Sequence, residues 1–396
     1  MRPRRSAAAT DWLLWAALRG LLVAIIAGVV PWPEQVNDLA IYQGWATGAL
    51  AAGATPDDPM WQYPPLAAPV FRLGAWLPGE RLGFVVLFLL FDAGIMTMLA
   101  RQARGTGLAG GRRLWALAPL VTGPLLLARF DVVPTAFAVA AVLVLATRPA
   151  LAGVLAAIGA WLKVWPALVV AGARRGQLPR VLGAALGVSL ALAAVLALTT
   201  ADPFGFLTGQ AARGLQIESV GAWPFLVARL LGADVAVVYQ YGAHEVVAGG
   251  VAAVATVCIV ASVALLGLIA VLRLLGRLEA ALPGDVALAA VLCSVVTSRV
   301  FSGQYFIWLL ALGAICLAEP RTGARRAVHL LVAAGAATQL VYPWLYTALL
   351  QGAWYAVLVQ SVRVGLSVTA AVLLVRMLVR GAGQMPAPSP QGSSGS

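Results

Sequence analysis

Polar side chains are scarce in this chain, and each one that interrupts an apolar stretch invites a chemical reading. Asp38 opens a periodic segment, Leu39–Ala52, that places Ile41, Trp45, Gly48 and Ala52 on one face, as in a helix lying at a membrane surface. A carboxylate there can satisfy the free backbone N–H groups of the helix start. Facing a substrate, the same group can accept a proton from a hydroxyl. Arg299 stands in Ser298-Arg299-Val300-Phe301-Ser302-Gly303-Gln304-Tyr305. A guanidinium among such neighbours either holds an anion or extends toward the lipid–water interface. Lys163 falls inside the apolar run Trp161-Leu162-Lys163-Val164-Trp165-Pro166. At membrane depth a charge costs at least about 2.5 kcal/mol unless it faces a polar cavity, so Lys163 serves a site or pairs with an acid such as Asp131. Asp57 and Asp58, inside Pro-Asp-Asp-Pro, read as turn residues before they read as metal ligands. Asp92 is an acid inside an apolar run with no partner legible in the sequence.

The elements that must position these residues follow from composition. The 396-residue chain is 61% hydrophobic and only 11% charged, with a mean hydropathy of +0.90. That leaves too little polar surface to cover a fold in water. Apolar stretches of about 20 residues recur throughout, rich in Leu, Ala and Val and without period-2 alternation, so they read as helices and not as barrel strands. The expected fold is all-α, a polytopic bundle of about 11–12 transmembrane helices with both termini in the cytoplasm. The net charge of +12 reflects Arg clustered at the ends of apolar runs, as the positive-inside rule requires, and no segment is large enough for a nucleic-acid-binding face. Cys258, Cys293 and Cys316 all lie within apolar runs and read as small buried hydrophobes.

Loop charge sets the order of crossings. Span 1, about Trp12–Val30, leads to an outer loop over 31–79 that carries Glu34, Asp38, Asp57 and Asp58. Span 2, about Leu82–Ala100, returns to the basic loop RQARGTGLAGGRR, and span 3, about Leu114–Ala128, leads to the turn Arg129-Phe130-Asp131. Parity fails over 147–180 unless the chain there forms two short helices broken near Trp161–Pro166, a geometry tolerated where it lines a protein cavity. A second outer loop over 200–244 then precedes a span at about Val246–Val271, and both outer loops are expected to carry amphipathic helices. Residues 1–380 form one domain on this reading. The Pro/Ser/Gly-rich stretch over 381–396 is expected to be a disordered tail whose last residues look appended.

The pattern D-L-x-x-Y…G…P-x-D-x-x-W-x-Y-P-P-L after the first span resembles the GT-C superfamily of membrane glycosyltransferases, and within it glycosyltransferase family 87. Arg129-Phe130-Asp131, W-L-K-V-W-P at Trp161–Pro166, R-x-L-Q-I-E-S at Arg213–Ser219 and S-R-V-F-S-G-Q-Y at Ser298–Tyr305 fit the same resemblance, in the same order along most of the chain. It implies an enzyme that uses a polyprenyl-phosphate-linked sugar, mannose above others, and a lipid or glycan acceptor on the periplasmic side of a bacterial plasma membrane. It implies Asp38 as general base in an inverting single displacement. Cations must then meet the departing phosphate. Arg299 is the first candidate, with Gln304 and Tyr305 beside it, and Arg129 and Lys163 follow. For the sugar or acceptor the candidates are Glu218, Arg213, Tyr63, Trp61 and His244. Each has a plainer alternative: an ion pair of Glu218 with Arg213 or Arg229, interfacial anchoring for the aromatics, and a solvated loop for His244.

No HExxH, paired CxxC or Walker-type motif is present, so a zinc hydrolase or an ATP-driven pump has no support. No cofactor is implied; the carboxylates are compatible with a divalent cation, but their spacing indicates none. Membrane lipids, the lipid-linked donor and the acceptor are the expected partners, and nucleic acid is not. The reading from another class is a transporter or flippase of lipid-linked sugars, which should show broken helices paired between two halves.

Overall fold

Leu- and Ala-rich runs lacking alternation give helices, and the chain is mostly helical apart from one small sheet. The computed structural model describes residues 3–33, 38–199, 204–206 and 213–383. Glu34 and the tail beyond 383 lie outside them. The first half comprises α1 (Pro3–Ile26), α2 (Asp38–Thr47), α3 (Ala67–Trp76), α4 (Arg81–Thr106), α5 (Gly110–Ala116), α6 (Pro119–Thr122), α7 (Leu125–Ala128), α8 (Val132–Val144), α9 (Pro149–Leu162), a 3-10 helix (Trp165–Gly172) and α10 (Leu178–Thr199). The second half holds β1 (Leu215–Gln216), α11 (Trp223–Leu230), β2 (Ala236–Gln240) and β3 (Ala243–Val247). It continues with α12 (Val251–Leu274), α13 (Pro283–Val296), α14 (Tyr305–Leu317), α15 (Arg325–Gln339), α16 (Tyr346–Leu350) and α17 (Trp354–Gly383).

Among the described residues five helices are long and apolar enough to cross a membrane, those within α1, α4, the segment ending in α10, α12 and α17. Burial separates their roles. α13 and α14 are apolar around their whole circumference and buried on almost every side, which makes them the centre of the bundle. α10 and α12 lie at the periphery, and Leu186, Leu190, Val260 and Val263 are each at least 60% exposed. Apolar side chains facing outward along whole helices suit a lipid surround and not water.

Two buried ionic clusters fasten α1 to the bundle. Arg19 binds both oxygens of Asp92, at 2.9 Å each, and donates to the carbonyls of Ala116 (2.6 Å) and Trp115 (3.0 Å); Trp15 Nε1 adds a bond to Asp92 at 2.7 Å. Asp92 is thereby accounted for as a structural acid. Asp11 likewise takes Arg112 at 2.6 Å and Arg113 at 3.2 Å. A cation and an acid that satisfy each other, with further bonds to backbone, can sit where neither could alone.

The structure departs from the sequence reading in four places. The third hydrophobic run is no single helix but α5, α6 and α7, interrupted where Pro119 and Pro124 remove N–H donors. α2 stops at Thr47 and buries Leu39, Tyr42, Trp45 and Ala46, so it packs into the protein instead of lying on lipid. The second outer loop holds an antiparallel sheet in the order β1-β3-β2 as well as the helix α11, and α12 starts at Val251, after β3. α17 continues to Gly383, past the expected boundary at 380. The break in the run over 151–172 falls as expected: Lys163 is extended (φ −160°, ψ 129°) between α9 and the 3-10 helix. A Cβ on Gly159 would stand 2.8 Å from Pro166 Cβ. Residues seven apart in a straight helix are separated by about 10 Å, so the chain doubles back here.

Candidate active site

Three short segments converge on one cavity. The first is the start of α2, which presents Asp38. The second is the turn Arg129-Phe130-Asp131 between α7 and α8. Arg129, extended at the end of α7, forms an ion pair with Asp38, and the two side chains stay 22% and 13% exposed toward the cavity. Phe130 anchors the turn in an aromatic cluster with Tyr63 (5.5 Å) and Phe71 (5.0 Å), where Tyr42 stacks on Phe71 at 4.6 Å. Tyr42 and Tyr63 share a hydroxyl–hydroxyl hydrogen bond of 3.1 Å. The YPPL corner thus fixes the turn, and the turn fixes Arg129.

The third segment is the helix break. Lys163 Nζ donates to Asp131 Oδ1 at 2.7 Å, and Trp308 Nε1 reaches the same oxygen at 2.7 Å. The ammonium also lies 5.1 Å from the Trp308 ring and 5.8 Å from both Tyr63 and Tyr305, within cation–π range. Trp308 is itself sandwiched between Trp165 (4.8 Å) and Tyr305 (4.0 Å). The charge on Lys163 is therefore both paired and cushioned at the cavity wall.

The opposite wall comes from the segment that carries β1, β2 and β3 and from Ser298–Tyr305. Gln216 joins them: its Oε1 accepts Phe301 N–H at 2.8 Å, and its Nε2 donates to Ser302 Oγ (2.8 Å) and Glu218 Oε2 (2.9 Å). Arg363 of α17, fully buried, locks both segments from behind. It donates to the carbonyls of Glu218 and Phe301, each at 2.6 Å, and to Thr338 Oγ1 at 2.8 Å, with its guanidinium 4.1 Å above the Phe301 ring.

The resulting cavity, about 320 Å³, is lined by Asp38, Arg129, Lys163, Arg213, Glu218 and His244, among others. Tyr63, Gln304 and Tyr305 line it too. Nine of the sequence-derived candidates thus meet in one place. Arg299 and Trp61 do not line it. Arg299 donates to the Arg213 carbonyl at 2.6 Å and so acts on the cavity through Arg213; it is not placed there as a direct phosphate ligand. Trp61 packs edge-on against Trp45 at 5.2 Å and faces a neighbouring cavity. Asp58 accepts Trp45 Nε1 and Met60 N–H, both at 2.8 Å, which accounts for it as a turn acid. Asp131 is the partner that the sequence reading offers for Lys163, whereas Gln216, Tyr42 and Arg363 are given no role by it. Gln216 and Arg363 owe their roles to long-range bonds that no local pattern announces.

Electrostatics suit an anionic ligand. Arg129, Lys163 and Arg213 face the cavity, and the Nε groups of Arg129 and Arg213 have no hydrogen-bond partner among the described residues. Burial pushes the Asp38 carboxyl above the usual carboxylate range, and the Arg129 guanidinium opposes that shift without cancelling it. Burial lowers the proton affinity of His244, which favours its neutral form. Among the described residues no group of three or more His, Cys, Asp or Glu side chains is arranged to hold a metal ion. A second cavity of about 730 Å³ adjoins the first, with Tyr63 and Tyr241 lining both; its far wall is apolar and formed by Leu192, Val195 and Leu196 of the peripheral helix α10. No family model, curated protein or solved structure matches the chain significantly.

Proposed function

We propose that the chain is a glycosyltransferase of the bacterial plasma membrane, of GT-C type and resembling family 87. It transfers a sugar, mannose in the first instance, from a polyprenyl-phosphate donor to a lipid or glycan acceptor on the periplasmic side. The observation that carries this reading is the meeting, in one cavity, of a partly open carboxylate with raised proton affinity and three cations, beside a second cavity whose far wall, on the peripheral helix α10, is apolar. In the reaction, Asp38 takes the proton from an acceptor hydroxyl as its oxygen attacks the anomeric carbon. The bond from that carbon to the phosphate oxygen breaks on the opposite side, and its electron pair leaves with the phosphate. Arg129, Lys163 and Arg213 receive the negative charge. One displacement inverts the anomeric centre. The prenyl chain lies along the apolar α10 wall of the adjoining cavity, with its phosphate near Tyr63 and Tyr241.

One observation favours transport instead. The helix run of α15 is interrupted at Tyr342-Pro343, so the second half of the chain, like the first with its break at Lys163, carries a broken helix, and this second break is one that the sequence reading did not find. Purified protein in detergent decides between the two, because micelles have no compartments. Supplied with polyprenyl-phosphate-mannose and a bacterial lipid extract, an enzyme yields a new mannosylated product and free polyprenyl phosphate. Absence of product with mannose and with other polyprenyl-linked sugars, together with movement of the donor across vesicle bilayers, would replace the enzyme by a flippase.

A further inference from the structure

Seven of the chain's eight tyrosines, all but Tyr355, line the charged cavity. Tyr42, Tyr63 and Tyr305 are absorbed in holding the turn and Lys163. Tyr241, at the hairpin turn, stands near the donor phosphate; the remaining three, Tyr239 of the hairpin, Tyr342 of the interruption after α15 and Tyr346 at the start of α16, have no part in the mechanism above. β2 and β3 are joined by the two-residue turn Tyr241-Gly242, with φ of +52° and +72°, the geometry of a tight hairpin turn. A Cβ on Gly242 would also stand 3.0 Å from Met60 Cγ, so glycine seats the hairpin against the first outer loop. On this frame four rings form a continuous row. Tyr239, 62% exposed at the rim, lies 5.1 Å from His244. His244 lies 5.6 Å from Tyr346 and within 3.3 Å of its hydroxyl, and Tyr346 lies 5.3 Å from Tyr342. Tyr342 in turn lines the cavity together with Arg129 and Asp38, which brings the row to the Asp38 pair.

Resting on the glycosyltransferase reading, we propose that the row Tyr239, His244, Tyr346 and Tyr342 is an acceptor subsite for a saccharide of at least two rings, which it leads from the rim to Asp38. Sugars present apolar C–H faces edged with hydroxyls. Tyrosine and neutral histidine match both features, with an apolar ring and a polar tip, at little cost in side-chain entropy. A plain lipid alcohol would gain nothing from a row of polar-tipped rings that runs from the exposed Tyr239 into the half-buried cavity wall. The acceptor is therefore an oligosaccharide or a glycolipid headgroup.

The test uses the full chain in lipid nanodiscs and ligand-observed NMR, with manno-, gluco-, galacto- and arabino-oligosaccharides of one to four rings as probes. In at least one series, affinity rises from one ring to two or three. Tyr239→Ala weakens the longest binder roughly tenfold, whereas Tyr239→Trp, which keeps a stacking face, restores it. Tyr239 is exposed, so neither change threatens the fold. No binding in any series, affinity indifferent to ring number, or affinity unmoved by Tyr239→Ala overturns the subsite. Saccharide binding without sugar transfer from any polyprenyl-linked donor would keep the row and remove the enzyme. Transfer to a monosaccharide or lipid alcohol that ignores Tyr239→Ala would keep the enzyme and remove the row.

Discussion

A carboxylate that must take a proton from a sugar or lipid hydroxyl is helped by raised proton affinity, provided it stays ionised at the working pH. Burial raises Asp38 and Arg129 restrains the rise. On the proposed mechanism, turnover therefore climbs with pH as Asp38 loses its proton, and the acid limb lies above the usual aspartate value of about 3.9. Removing the restraint in Arg129→Met raises Asp38 further, so the limb of the pH–rate profile moves to higher pH; a limb that stays put or moves down would contradict the pairing. Lys163→Met makes the complementary prediction. It leaves Asp131, 1% exposed, without its cation, and one partner lost from a buried pair costs about 3–5 kcal/mol. The unfolding temperature in detergent falls, and the double variant Lys163→Met/Asp131→Asn recovers part of it. At this scale the sequence was informative where residue type and position sufficed: Asp38, Arg129 and Lys163 are charges beside apolar runs, and all three reach the cavity. Arg299 is the case where the motif shows a guanidinium near the right wall but not the Arg213 carbonyl that engages it.

Among the elements, the walls of the cavity are held by parts far apart in sequence. α17 reaches across with Arg363, whose planar fork spans the Glu218 and Phe301 carbonyls and the Thr338 hydroxyl together. Arg363→Lys cannot span all three, so it lowers both the unfolding temperature and turnover; a lysine variant with wild-type turnover would show that the walls hold without this clasp. The break at Lys163 could be read in advance, because Pro166 and a charge interrupt an apolar run and loop charge demanded an extra crossing. The fragmentation of the third run carried a similar signal in Pro119 and Pro124, which its uniform hydropathy obscured. The sheet was missed for a different reason. Val-Ala-Val-Val-Tyr-Gln-Tyr-Gly-Ala-His-Glu-Val-Val holds β-branched residues on both sides of a Tyr-Gly pair, a hairpin signal, but it runs directly into the apolar stretch that becomes α12.

For the whole molecule, the apolar outer faces of α10 and α12 and the Arg-rich short loops define how the chain sits in lipid. Single cysteines test that placement, since Cys258, Cys293 and Cys316 are buried and contribute little background. Thr55→Cys, in the loop expected to face outward, is expected to react with a membrane-impermeant maleimide in intact spheroplasts, and Gly105→Cys in the exposed last turn of α4 only after permeabilisation. Labelling of both from outside would break the assignment of sides. The central claim, that this membrane protein is an enzyme with one carboxylate at its heart, is tested most directly by sugar transfer from polyprenyl-phosphate-mannose and the other lipid-linked donors in wild type and Asp38→Asn. With a donor the wild type turns over, the account predicts a loss of about 10²–10⁴-fold in kcat with donor affinity and folding retained; Asp38→Asn turning over at the wild-type rate would contradict it.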